Sequence, residues 1–334
     1  MAAAFSSRRR REAVIIGTDP VFAVLAAAPW RLFHPRAQVI HWCFDVYPDA
    51  IVAEGAASPD SLLVRMLQRL VAAAYRRCDA IAGLGPCMAR RLAASAPEVP
   101  SLTITPWALI EPDVPPSPDV ETRKALFGDA ALGLLYSGSF GRAHSHPEFM
   151  DLARRLRHDD IAFCFAGRGH RMDELRAAVE PADTNILFAG FAPEEELERR
   201  LAACDLHLVS LRQEWTGTVV PSKFFGALAA GRGVIFAGSA ESSIAHWIRE
   251  FQVGWVLLPE TGEEVASELR ELVRRPERIR ALRAHCHAVY QERFSRERML
   301  EKWEALLRPL GGRGPRVTET HELSEVGGGH SRAN

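Results

Sequence analysis

Short apolar runs alternate with longer stretches of helical period along almost all of this chain, and that alternation restricts it to one broad class of fold. Residues 13–17 (AVIIG), 38–42 (QVIHW), 80–84 and 101–105 read as strands, and 20–30, 61–77 and 87–95 as helices. Asp45, Tyr47, Pro48 and Asp49 fall in a loop after the second strand. Strands that are separated by helices rather than by tight turns run parallel, with the helices covering the sheet. The expected architecture is therefore α/β, with Rossmann-like, doubly wound sheets.

A Pro-rich acidic segment, 111–119 (EPDVPPSPD), interrupts the pattern and reads as a linker. Beyond it the alternation restarts. Strands are expected at 132–137, 161–166, 186–189, 206–211, 233–237 and 254–257, and helices at 148–157, 172–179, 194–203, 241–250 and through 263–308. Two units follow, 13–110 and 123–310, joined by a linker over 111–122. A basic start, 1–12, precedes them, and the Gly-, Ser- and Arg-rich composition from 311 to 334 predicts a disordered tail.

Composition narrows the function classes. With 334 residues, 47% of them hydrophobic, the chain can build two cores, and its net charge of -1 gives no reason to expect nucleic acid. Six cysteines without a C-x-x-C pair sit mostly in apolar runs, as reduced cysteines of a cytoplasmic protein do. No apolar run reaches the roughly 20 residues of a membrane span, and Arg8 to Arg11 lack the apolar core of a signal peptide. The triplet His285-Cys286-His287 suggests a metal only superficially, because adjacent helical residues point in different directions, and no metal site is expected.

The most informative stretch is 216–231 (TGTVVPSKFFGALAAG), a small-residue loop leading into a short apolar helix that Gly231 stops. Ser222 is placed as the N-cap, with Lys223 in the first turn. A lysine is unfavourable there, since a helix start already carries partial positive charge, unless an anion occupies the site. The plainer explanation of an isolated lysine is a stem packed on the surface with its head in water. A second feature favours the anion. The first strand of the second unit runs into Ser137-Gly138-Ser139-Phe140-Gly141-Arg142, where glycines permit close backbone approach and an arginine follows. Both features fall at carboxyl ends of strands, where open α/β sheets bind ligands. Together they form a candidate diphosphate site that needs no metal.

The order of these segments resembles a known family. Tyr136 to His144 (YSGSFGRAH), Phe165 to Gly169 (FAGRG), Ala203 to Val209, Val220 to Lys223 (VPSK) and Ala229 to Arg232 are together similar to the nucleotide-sugar-binding half of GT-B glycosyltransferases. The likeness is strongest to family four, retaining enzymes that include exopolysaccharide and lipopolysaccharide transferases. Thr18-Asp19-Pro20 and His41-Trp42 with Asp45 match in style in the first unit. The resemblance implies a nucleotide-diphosphate sugar as donor, a saccharide or lipid-linked acceptor, and no cofactor. It implies that Arg142 and Lys223 grip the diphosphate, and that Gly138, Ser139, Gly141 and Ser222 approach the donor. Gly167, Gly169 and Phe191 would border the base, and Asp45 would lie across the cleft near the reacting sugar.

The chain departs from the family in two ways. The family often carries two glutamates with seven residues between them, the second opening the Ala-Leu-Ala-Ala-Gly helix, where this chain has Thr218 and Gly226, and the first unit is short for a GT-B domain. Three classes stay open: an active transferase in surface polysaccharide synthesis, a nucleotide-sugar-binding subunit whose partner supplies the rest, and an epimerase, for which Asp45 alone lacks an acid–base pair. The helix over 61–77 sets Leu62, Leu63, Met66, Leu67, Leu70 and Val71 against Arg65, Arg69, Arg76 and Arg77. It reads either as a helix packed on its own sheet with a solvated basic face, or as a peripheral contact with an anionic membrane at the inner face of the cell membrane.

Overall fold

The structure, a computed structural model, describes residues 12–308. The basic segment 1–11 and the residues from 309 onward, with the expectations placed on them, lie outside that range. The first unit comprises β1 (Ala13–Ile16), α1 (Ala27–Phe33), β2 (Gln38–Cys43), α2 (Asp49–Ala53), α3 (Leu62–Tyr75), β3 (Ala80–Gly83), α4 (Pro86–Ser95) and β4 (Ser101–Thr103). Its four strands are parallel and lie in chain order, β1-β2-β3-β4. Among the described residues this sheet has no reversal of order; double winding belongs to the second unit.

The second unit opens with α5 (Val120–Phe127), β5 (Leu132–Ser139), α6 (Pro147–Arg155), β6 (Ile161–Arg168), α7 (His170–Ala178), β7 (Ile186–Ala189), α8 (Leu197–Ala203) and β8 (Leu206–Leu211). It continues with α9 (Lys223–Ala229), β9 (Gly233–Gly238), α10 (Ser243–Phe251), β10 (Gly254–Leu257), α11 (Gly262–Arg274), α12 (Pro276–Arg293) and α13 (Arg296–Leu307). Its six parallel strands are ordered β10-β9-β8-β5-β6-β7, so the direction of winding reverses between β8 and β5. Those two strands are in register only at Leu134 with Leu206 and Leu135 with His207. Beyond those pairs they part, which opens the crevice where doubly wound sheets bind ligands.

Three local expectations need correction. The helix expected over 20–30 is broken into a turn, a 3-10 segment at Ala23–Ala26 and α1, with Pro20 and Pro29 nearby and Phe22 in a left-handed conformation (φ 64°). The loop after β2 holds α2, only five residues long and too short for a period to show. The assigned linker ends inside α5, whose N-cap Asp119 accepts the backbone N–H of Thr122 at 2.8 Å.

The linker is also fastened down. Tyr290 Oη donates to Glu111 at 2.6 Å, and the Pro112 carbonyl lies 2.9 Å from His287 Nε2. Arg232, fully buried, donates to the carbonyls of Pro116, Cys204 and Ala230, at 2.8, 2.8 and 2.6 Å. Ala202, Cys204 and Ala230 sit at the ends of α8 and α9, where unpaired carbonyls carry partial negative charge, and Arg232 donates to all three. Burial pulls its affinity for a proton down to about 10, so it stays charged and collects carbonyls instead of a carboxylate.

The last helix returns to the first unit. Met299 and Trp303 of α13 pack with Ile40 and Ala82 of the first sheet and with Ile104 just after β4, and the Trp303 ring meets Trp42 edge-on at 5.2 Å. A second seam joins α4 to α10, where the Cys87 amide donates to Ser243 Oγ at 3.2 Å. A Cβ on Gly85 would lie 2.4 Å from that oxygen, so glycine is required for this approach. Because Trp303 is the largest apolar group joining the C-terminal helix to the first sheet, Trp303→Ala is expected to cost about 3 kcal/mol. A lowered urea midpoint with an unchanged slope would show it.

Candidate functional site

The site is built where β5 and β8 part. β5 delivers Gly138 and Ser139, and the chain then folds back over the end of β8: the Ser145 amide donates to Ser210 Oγ at 3.1 Å and the Arg212 amide to the Ala143 carbonyl at 2.8 Å. Lys223, the first residue of α9, reaches under this loop. Its ammonium group donates to the Ser139 carbonyl at 2.9 Å, lies 3.4 Å from His144 Nε2 and stands 5.2 Å from the centre of the Tyr136 ring. His144 Nδ1 lies 2.8 Å from the Ser210 carbonyl, which can only accept. Nδ1 therefore carries the proton, and Nε2 offers Lys223 a lone pair. Burial, reinforced by the lysine charge, pulls His144 down to about 4 and keeps it neutral.

Lys223 thus has two neutral acceptors and an aromatic face but no carboxylate. Burial lowers its affinity for a proton to about 8. A half-buried ammonium without a counter-charge is a costly arrangement, and it is relieved by an anion brought from outside. Ser222 stands at the helix start as expected, but its side chain caps nothing and is exposed.

The glycines divide into two kinds. Gly138 has φ 113°, and a Cβ there would press within 3.2 Å of Lys223 Cε, so this glycine makes room for the lysine. Gly167 and Gly169 face inward: a Cβ on either would run into the backbone of Gly138 or Phe140. They let β6 pack against the β5 loop, while Gly169 itself stays exposed. Around Gly141 there is open space. Phe191, half exposed, lies under the Arg168 guanidinium at 4.4 Å.

Arg142 is not joined to Lys223 by any contact. It is 63% exposed and pairs across the cleft with Glu54, just after α2, at 2.6 Å. Glu54 carried no sequence signal, since nothing in a local pattern tells which residue of another unit will face an arginine. Asp45 lies beside the same junction, where the Val46 amide donates to the Thr218 carbonyl at 2.9 Å. It lines a small pocket with Thr18, His41, Tyr47 and Tyr75, and burial raises its carboxyl above the usual carboxylate range. His41 in that pocket is pulled down to about 4 by burial and is neutral. Thr218 is fully buried with its hydroxyl on the Trp215 carbonyl at 2.7 Å, so it faces the protein and not the cleft.

Among the described residues no three His, Cys, Asp or Glu side chains converge as metal ligands. His285, Cys286 and His287 approach the carbonyls of Phe251, Val253 and Pro112 respectively, in three directions.

Residues 131–275 match the family model described as glycosyl transferases group 1. Over 309 residues the chain is 26% identical to the probable glycosyltransferase WbjE of Pseudomonas aeruginosa, covering 91% of this chain and 76% of WbjE. Among solved structures it resembles Alr3699/HepE of Anabaena, in complex with UDP and glucose, with a TM-score of 0.64 at 14% identity over 88% of this chain and 77% of that one. It also resembles a mutant of TarM of S. aureus, in complex with UDP and saccharide ligands, with a TM-score of 0.60 at 13% identity. There 86% of this chain is covered, and the chain spans about half of TarM's length, 54%. The match to the group 1 glycosyl transferase model lies within the second unit, and the fold is that of GT-B proteins.

The titration of Lys223 is directly measurable. Its folded value of about 8 lies below the 10.5 of a free lysine, so between those values the unfolded chain binds more protons and stability rises with pH. Lys223→Met should abolish that part of the rise, read as the difference between the two proteins' unfolding free energies across the window.

Proposed function

We propose that the chain is a glycosyltransferase of the group 1 type that moves a sugar from a nucleotide-diphosphate sugar to a saccharide or lipid-linked acceptor, in the synthesis of a surface polysaccharide. The observation that carries the reading is the half-buried ammonium of Lys223, held at the carboxyl end of the sheet with no carboxylate partner. When the bond between the anomeric carbon and the donor's phosphate oxygen breaks, negative charge builds on the departing diphosphate. Lys223 is positioned in advance to stabilise it, and Arg142 is the second cation at the mouth of the crevice. The bound UDP in the structures of HepE and of the TarM mutant supports a nucleotide-sugar donor. Asp45, on the facing unit, stands on the acceptor side. Retention of anomeric configuration, transfer without a metal and a place at the inner face of the cell membrane are the outcomes that the family resemblance implies.

Glu54 competes with the donor for Arg142. An anion entering the crevice gains the arginine only by displacing that carboxylate, and the pair is exposed enough to be weak.

Removal of either cation is expected to lower kcat/KM with a nucleotide-sugar donor by about a hundred-fold. Full activity in both Arg142→Ala and Lys223→Ala would refute the donor-site assignment. Calorimetric binding of a nucleoside diphosphate with no turnover against any acceptor would instead favour a non-catalytic subunit. Glu54→Gln should tighten nucleoside diphosphate binding by about two- to five-fold, the size of an exposed ion pair. Unchanged or weaker binding would show that Glu54 does not compete.

A further inference from the structure

The outer edge of the second sheet carries another concave site. A cavity of about 720 Å³, within the range of about 300–1,000 Å³ usual for small-molecule sites, lies where β10 meets α10, α11 and the first half of α12. β9 and β8 separate it from the crevice, and Lys223 and its neighbours take no part in its lining. The Val234 amide donates to the Val253 carbonyl, so Val253, Trp255 and Leu257 turn their backbone groups toward β9, while Gly254 and Val256 turn theirs to the open edge. The Thr261 hydroxyl takes the Val256 carbonyl at 3.0 Å. The Gly254 amide and carbonyl and the Val256 amide are left for a ligand.

The side chains around this edge are of mixed kind. Trp255 is half-buried, and its indole N–H has no acceptor among the described residues. Glu264 is exposed and has no cation among them. Arg249 donates one N–H to the Ala240 carbonyl at 2.9 Å and meets no carboxylate there, while Arg278 pairs with Glu268 at 3.0 Å. Ile248 and Leu282 supply apolar wall. Two cations and two carboxylates cancel, so the lining favours neither an anion nor a cation. An apolar ligand would meet four charged groups. Hydroxyl groups suit the mixture, since each can donate and accept, and the C–H faces of a sugar ring suit an aromatic side chain with a polar handle.

We propose that this cavity binds a short, uncharged oligosaccharide at a place separate from the crevice. The inference rests on the proposed function only for the source of that ligand, the acceptor saccharide, which would stay near the crevice between transfers while held here.

The test is calorimetric titration of the full chain, with no nucleotide sugar present, by maltotriose, mannotriose and triacetylchitotriose, each to about 10 mM. At least one of the three is expected to bind with a millimolar Kd. Glu264→Ala removes a charged acceptor from an exposed position and should weaken that binding about ten-fold. Trp255→Phe keeps the packing, loses the indole N–H and should weaken it about three-fold. Both variants should keep the circular dichroism spectrum and the UDP affinity of the parent. No binding of any of the three, binding that both variants leave unchanged, or binding that Lys223→Ala abolishes would overturn the proposal. Failure to bind UDP with trisaccharide binding intact would overturn the proposed function and leave this inference standing.

Discussion

An ammonium group held half out of water without a counter-charge is the constraint around which the second unit is arranged. Lys223 cannot be exposed freely, because α9 packs by Phe224, Phe225, Ala227 and Leu228 into the core and fixes where its first residue emerges. It cannot be neutralised internally, because the groups within reach are the Ser139 carbonyl, a neutral imidazole and an aromatic face. The glycine at 138 makes room for that one cation, and the Ser210 carbonyl fixes the His144 tautomer that offers it a lone pair. Burial lowers its proton affinity to about 8.

The other requirement is a facing surface held at a set distance. The two units do not simply follow one another on a string. α13 crosses back to the first sheet through Trp303, the linker is bound by Arg232, Tyr290 and His287, and Gly85 allows α4 to reach Ser243 of α10. At the mouth the backbone links Val46 to Thr218, Arg91 reaches the Thr216 carbonyl, and Arg142 makes its exposed pair with Glu54. An exposed ion pair is weak, so Arg142 is the part of this junction that an entering ligand can change most readily.

Much of this was legible along the chain. The strands at 186–189, 206–211 and 254–257 were placed to the residue, because buried parallel strands are nearly uninterrupted apolar runs bounded by polar residues. Lys223 and Gly138 were identified separately, one by an unfavourable charge at a helix start, the other by a glycine at a strand end. The misses have local causes. α2 is too short to show a period, α5 begins in a segment whose prolines read as a linker, and the segment 20–30 is apolar enough to look helical while its prolines break it. The close packing that Gly167 and Gly169 allow against the β5 loop carries no local signal, since a glycine in a strand-end loop looks the same whether a ligand or another strand approaches it.

The sequence by itself determined the class of fold, the existence of two units and the residue types of the candidate anion site, because apolar periodicity and helix-end chemistry are encoded within a dozen neighbouring residues. Which groups meet was decided by the tertiary structure. His144 under Lys223, Glu54 opposite Arg142 and Trp303 on Trp42 are pairs separated by tens to hundreds of residues. Their distances depend on how the sheets wind and how α13 returns, which no local window contains.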